Sequence, residues 1–260
     1  LNIKLFNEIY AYREMIASLV RKDLRGRYKG SVLGFLWTFL NPLLQLLVYT
    51  LVFSVIMRAN IEKFYLFLFV ALVPWLFFAS CLSAGAGVIV NEKNLIVKIH
   101  FPREVIPIYF VTSSFINMLY CFVVVIAVVL VSGIQLNIVA FFYLPVIMAV
   151  EYIMALGVCF MVSAVTVYFR DLQHIMGILT MAWQFLTPIL YPITLVPDEL
   201  MPIFMLNPMT PVINAYRDIL YYGKVPQMFT MIHAAIFGIV ILIFGILIFG
   251  RLKRRFAEVL

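Results

Sequence analysis

Charge is scarce in this sequence. Only 12% of its 260 residues are Asp, Glu, Lys or Arg, against 65% hydrophobic residues, and the mean hydropathy is +1.08, which excludes a water-soluble fold. Cysteine is scarce too. Cys81, Cys121 and Cys159 all sit inside apolar stretches, with no C-x-x-C pair and no His at ligand spacing, so they read as small buried hydrophobes and no metal site is expected. A phosphate-cradling loop is missing: GAGVIVNEK has the glycines but no G-K-[ST], so the chain carries no ATP site or other cofactor of its own. His100, His174 and His233 are scattered, no Ser, His and acid grouping follows from spacing, and enzyme activity is not expected. Glu151 is the one carboxylate well inside an apolar run, where it is either a satisfied structural group or a coupling acid. An ion-coupled carrier would show several such groups near broken midplane helices in two related halves, and no internal repeat is visible here.

Long apolar runs are what the chain has instead. A bilayer crossing takes about 20 apolar residues, and six runs qualify: Val32 to Met57, Phe64 to Val90, Val105 to Val131, Phe141 to Phe169, Ile175 to Val196, and Met228 to Gly250. The 19 basic residues divide between the loops as 15 on one side and 4 on the other. The rich side holds the stretch before the first run, Lys93, Lys98, Arg103, Arg170 and the tail from Arg251; the poor side holds Arg58, Lys63, Arg217 and Lys224. That asymmetry places both termini in the cytoplasm and accounts for the net charge of +7 without nucleic acid. The expectation is an all-α membrane protein of one domain over 1–260: an interface region over 1–30, a six-helix membrane domain over 31–250 and a cytoplasmic tail over 251–260. No signal peptide is expected, because about thirty mixed residues precede the first run, and a chain opening on Leu1 is expected to have its native start upstream.

Three shorter stretches have their own patterns. Leu5, Ile9, Tyr12, Ile16 and Leu19 recur at helical spacing among Lys4, Glu8, Arg13 and Glu14, which predicts an amphipathic helix at the inner interface, or else a charged tether. Six of the twelve prolines crowd between Pro188 and Pro211 while the segment stays apolar. Such broken backbone survives at membrane depth only when buried in protein or lining a cavity, so two short re-entrant outer helices are expected, with a compact external loop as the alternative. The second of them should start at Thr210 as N-cap, with Pro211 first in the helix, and stop at Gly223. Ala79, Ser83 and Gly87 form a small-residue stripe that lets another helix approach, within the chain or across a dimer. NEKNLIVKIHFPREVIP, Asn91 to Pro107, sets Leu95, Ile96 and Ile99 among charges, with Asn91 as cap and Pro102 as stop. It reads as a helix that docks into a groove on a cytoplasmic protein, or lies on lipid headgroups.

RYKGSVLGFLWTFLNPLL, NLIVKIHFPREVIP, YFRDLQHI, LTPILYP and NPMTPVINAYRDIL follow one another along the chain. Together they resemble the membrane subunits of ABC exporters that move polysaccharides, of the O-antigen, capsule and teichoic acid type. The resemblance implies a homodimer in the bacterial inner membrane with two copies of a separate cytoplasmic ATPase that binds ATP and Mg. It implies export of a polysaccharide on a polyprenyl pyrophosphate, preferably O-antigen; capsule, teichoic acid, drug or lipid export are the nearer alternatives, and an ion-coupled carrier or a structural subunit the farther ones. Asn91, Leu95, Ile96, Ile99 and Phe101 then become the ATPase-coupling contacts, with Arg170 and Asp171 a secondary pair. Arg25, Arg27 and Lys29 gather where the chain enters the first run, and guanidinium forks suit the pyrophosphate there, although positive flanks also orient any first span. The resemblance places the first and fifth spans along the channel, so Trp37, Tyr49, Trp183 and Tyr191 are the candidate lining rings, or else interfacial anchors and packing groups. The first two are about 18 Å apart along a helix.

Overall fold

In the computed structural model the described residues are 3–27, 29–56 and 61–259. Tyr28, Met57 and Arg58 lie outside them, as do Leu1 and the side chains of Lys4 and Leu5. Helix is the only regular structure among the described residues. The chain opens with α1 (Ile3–Ala11) and α2 (Arg13–Gly26), then α3 (Trp37–Thr50), which continues as a π-helical turn over Leu51–Ile56. Next come α4 (Phe64–Ser83), α5 (Val88–Asn91), α6 (Lys93–Lys98), α7 (Val105–Val131), α8 (Ile138–Phe141) and α9 (Leu144–Tyr168). The order closes with α10 (Leu172–Phe185), α11 (Met201–Leu206), α12 (Met209–Leu220), α13 (Met228–Leu252) and α14 (Phe256–Val259).

Among the described residues, five helical runs are long and apolar enough to cross a membrane: Gly34–Ile56, Phe64–Lys98, Val105–Val131, Ile138–Tyr168 and Met228–Arg255. The expected fifth run is shorter. α10 has 14 residues, about 21 Å of helix against a hydrocarbon core of about 30 Å. It stops at Phe185 because Pro188 has no N–H to give and disfavours helical geometry at the residue before it. α12 also starts differently from the expectation. Asn207 takes the capping role, its Oδ1 accepting from the Met209 N–H at 3.0 Å, whereas Thr210 lies inside the helix with its Oγ1 buried and unpaired. The helix also stops sooner than expected, at Leu220 with Tyr221 as its C-cap, and Gly223 two residues further on takes φ +61°, a left-handed conformation that glycine adopts without strain.

α4 is apolar all round and is buried all round, the burial expected of such a helix. Every residue from Leu66 to Trp75 is buried, and α3, α7, α9, α10 and α12 all pack on it. The most extensive helix pairing is α9 with α13. There a Cβ on Gly157 would sit 2.6 Å from the Leu242 Cα, and one on Gly245 would strike the Gly157 carbonyl, so the backbones approach as only small residues allow. The stripe near the end of α4 serves packing within the chain: a Cβ on Gly87 would meet the Gln173 side chain at 2.8 Å. The amphipathic N-terminus is two helices, broken at Tyr12 (φ −96°, ψ 14°). α2 turns Leu19 and Val20 into the core and packs on α7, so much of its apolar face has a protein partner.

Candidate functional site

Basic residues from the end of α2 and the turn after it gather at one end of the bundle, where Glu92 and Tyr109 come up from distant parts of the chain. The end of α2, the Glu92 turn and Tyr109 of α7 enclose a cavity of about 760 Å³ lined by Lys22, Arg25, Arg27 and Lys29 against only Asp23 and Glu92. The excess of positive charge makes it an anion site in sign. Arg25 and Lys29 are exposed there. Arg27 is not free: its Nε holds the Asp23 carboxylate at 2.8 Å, and its Nη2 donates to Ser114 Oγ at 3.0 Å. Ser113 donates to the same carboxylate. This cluster fastens α2 to α7, and Lys22 adds an ion pair of 3.8 Å to Glu92, which accepts from the Tyr109 hydroxyl at 2.9 Å.

The same end carries the proposed coupling segment, and burial rearranges its residues. Ile96 and Phe101, each 3% exposed, belong to the chain's own core and are unavailable to a partner. The reason is local geometry. α6 ends at Lys98, and Ile99 is extended (φ −127°, ψ 136°), so the helical spacing that would set Leu95, Ile96 and Ile99 on one face stops one residue short. Leu95 is half-buried, Ile99 is 50% exposed, and the face turned outward includes Val97, at 61%, which the sequence reading passed over. Asn91 caps nothing; it is the exposed last residue of α5, and Glu92 precedes α6 without a side-chain cap. Glu104, buried, pairs with Lys253, tying this segment to the end of α13. Arg170 and Asp171 are exposed at the turn into α10, and that turn closes through backbone bonds such as Gln173 N–H to the Arg170 carbonyl at 3.2 Å, not through an Asp171 side-chain cap.

The four candidate rings are all held by hydrogen bonds. Trp37 Nε1 donates to Ser31 Oγ at 2.9 Å and its ring borders a polar cavity of about 240 Å³. The Tyr49 hydroxyl accepts from Gln45 and, at 3.0 Å, from Gln184, which joins α3 to α10. Trp183 Nε1 donates to Asn207 Oδ1 at 3.0 Å, with the ring edge-on to Phe78, and the Tyr191 hydroxyl donates to the Phe185 carbonyl at 2.6 Å. Trp183 and Tyr191 thus brace the broken segment itself.

Two polar groups in that region went unread in the sequence. Arg217, only 2% exposed, donates to the carbonyls of Pro188 and of Ile189, the latter at 2.6 Å, and lies over the Phe67 ring at 3.5 Å. Asn207 bonds the Leu186 carbonyl and Thr187 Oγ1 as well as capping α12. They satisfy carbonyls of the proline-rich segment that no helix hydrogen bond covers. Glu151 is fully buried and accepts from the Tyr216 hydroxyl at 2.6 Å through one oxygen, while its Oε1 has no partner.

A multi-pass helical bundle with a basic cavity at one end and an exposed apolar segment beside it has the anatomy of a membrane transport subunit. The sequence matches the model of the ABC-2 type transporter family over residues 14–221, and the chain belongs to that family. It is similar to the O-antigen export system permease protein RfbA of Myxococcus xanthus, with 38% identity over 98% of this chain and 99% of that protein. RfbA of Klebsiella pneumoniae is 32% identical over 95% of each chain, and the polysialic acid transport protein KpsM of Escherichia coli is 23% identical over 90% of this chain and 92% of its own.

Proposed function

We propose that this permease subunit exports a lipid-linked polysaccharide of the O-antigen type across the bacterial inner membrane. The observation that carries the reading is the full-length similarity at 38% and 32% to two proteins named O-antigen export permeases, against 23% for the polysialic acid transporter. The working unit is a homodimer with two copies of a cytoplasmic ATPase, which bind the ATP and Mg. Both termini and the basic cavity face the cytoplasm, in keeping with the excess of basic residues at that end. α10 followed by the braced segment 186–196 makes the fifth of six crossings, and α11 and α12 re-enter from the outer side. Leu95, Val97 and Ile99 meet the ATPase, with Arg170 and Asp171 at the margin. Arg25 and Lys29 receive the pyrophosphate at the entrance, where Arg27 is the third cation. The glycan then follows the side of α3 and α10, with Trp37 and Tyr49 as rings along it.

The test is reconstitution with the ATPase in lipid nanodiscs. Hydrolysis should rise when O-polysaccharide on a polyprenyl pyrophosphate is added, and stay basal with a lipid-linked polysialic acid. Stimulation by the second and not the first would move the assignment to capsule export.

A further inference from the structure

Arg27 lines two cavities at once. One is the basic cavity at the end of α2; the other is the polar cavity of about 240 Å³ between α3, α4 and α7. Its guanidinium reaches Asp23 on the wall of the first and Ser114 on the wall of the second, so the two spaces share one residue as their partition. The second cavity has a distinct chemistry. Its polar lining is amides and hydroxyls, from Asn41, Gln45, Ser80, Ser114 and Asn117, joined by the Trp37 indole, with no carboxylate among the lining residues. Thr38, 2% exposed, lines it too, and its Oγ1 is buried without a hydrogen-bond partner. A polar hydroxyl left bare inside an apolar bundle is costly unless something polar meets it.

From these observations we infer that the cavity between α3, α4 and α7 is a binding subsite for a single sugar ring whose diphosphate lies in the neighbouring basic cavity, with Arg27 bonding at the junction. Neutral amides and hydroxyls suit sugar hydroxyls, an indole offers an apolar face to sugar C–H groups, and the lack of a carboxylate disfavours a cation. At about 240 Å³ the cavity is of a size for a single sugar ring. A phosphate arriving beside Arg27 would compete with Asp23 for the guanidinium, and the sugar attached to it would face Ser114, Asn117 and Thr38. The chemistry required is a sugar glycosidically joined to a diphosphate. The inference rests on the proposed entry of a lipid pyrophosphate, and adds to it a site that reads the first sugar.

Farnesyl diphosphate, farnesyl diphosphate carrying one N-acetylglucosamine, and UDP-N-acetylglucosamine are the probes, titrated against the permease–ATPase complex in nanodiscs. The sugar should tighten the farnesyl ligand about tenfold, equivalent to about 1.4 kcal/mol. Asn117→Leu, and independently the near-isosteric Thr38→Val, should each bring the ratio of the two Kd values towards one. A ratio that is near one in the parent protein, or that survives both substitutions, overturns the sugar site while leaving diphosphate entry standing. No binding of either farnesyl ligand overturns both. Binding of UDP-N-acetylglucosamine as tight as that of the farnesyl glycoside, and equally sensitive to the two substitutions, supports the site and assigns it to a soluble nucleotide sugar; weak binding of that probe assigns it to the lipid-linked one.

Discussion

Arg217 shows how a single side chain can make a broken backbone tenable. The prolines around it strip helix hydrogen bonds from residues 188–191, and the guanidinium supplies donors to the Pro188 and Ile189 carbonyls. Arg217→Met keeps the stem but orphans those acceptors, at about 1–3 kcal/mol for each buried group left unpaired. The melting temperature of the solubilised protein should fall, and Arg217→Lys should recover only part of it, since an ammonium lacks the planar fork. Unchanged melting of the Met variant would show that the carbonyls find other donors. In the sequence this residue counts as one more basic group on the poorer side, because a charge tally cannot distinguish a solvated cation from a buried one. The available hint was its company: Ile213, Tyr216 and Leu220 share its helix face at spacings of three and four, and all are buried.

At the level of elements, apolar periodicity reported helices well and partners poorly. α7 runs from Val105 to Val131 as its apolar run does, because uninterrupted hydropathy carries its own boundaries. The 93–102 segment was legible as amphipathic, but which face meets the chain itself depends on where α6 stops. Two sets of substitutions separate its faces. Val97→Asp with Ile99→Asp should leave folding intact and abolish co-purification with the ATPase, each anchor being worth up to about 1.5–3 kcal/mol when buried, whereas Ile96→Asp should lower expression and thermal stability by placing a charge in the core. Retained co-purification of the first pair would remove this segment from the interface. A second element-level prediction concerns α9 and α13. Gly157→Leu drives a side chain into the Leu242 backbone, so it should separate the pair and lower the melting temperature, while Gly250→Leu near the end of α13, where nothing lies within 4 Å of an added Cβ, should melt as the parent does. Glycine contacts of this kind leave no trace in hydropathy, and nothing in the one-dimensional pattern pairs residue 157 with 245.

For the whole molecule, the exposed faces of α3 and α13 have the same apolar chemistry but different surroundings. α13 shows Ile232, Ile236, Ile239, Ile243 and Leu247 in a stripe at helical spacing, a surface suited to lipid. α3 and its π-helical continuation show Leu44, Leu47, Val48 and Leu51, and the Gln184–Tyr49 bond sets beside it α10, whose Ile178, Met181 and Phe185 are likewise exposed. The combined surface spans two helices, one of them too short to cross alone, and it adjoins backbone that is tolerable at membrane depth only beside protein or a cavity. In the proposed homodimer this is the side on which the second copy is expected to sit. The three native cysteines are buried, so single cysteines can test the arrangement in membranes. A disulfide needs Cα atoms within about 7 Å, and oxidation of Leu47→Cys or Met181→Cys variants should trap a covalent dimer with at least one of them, while Ile239→Cys on α13 should stay monomeric. Dimer trapped through Ile239 and not through the other two would place the second copy on the opposite flank, and with it the path proposed for the glycan.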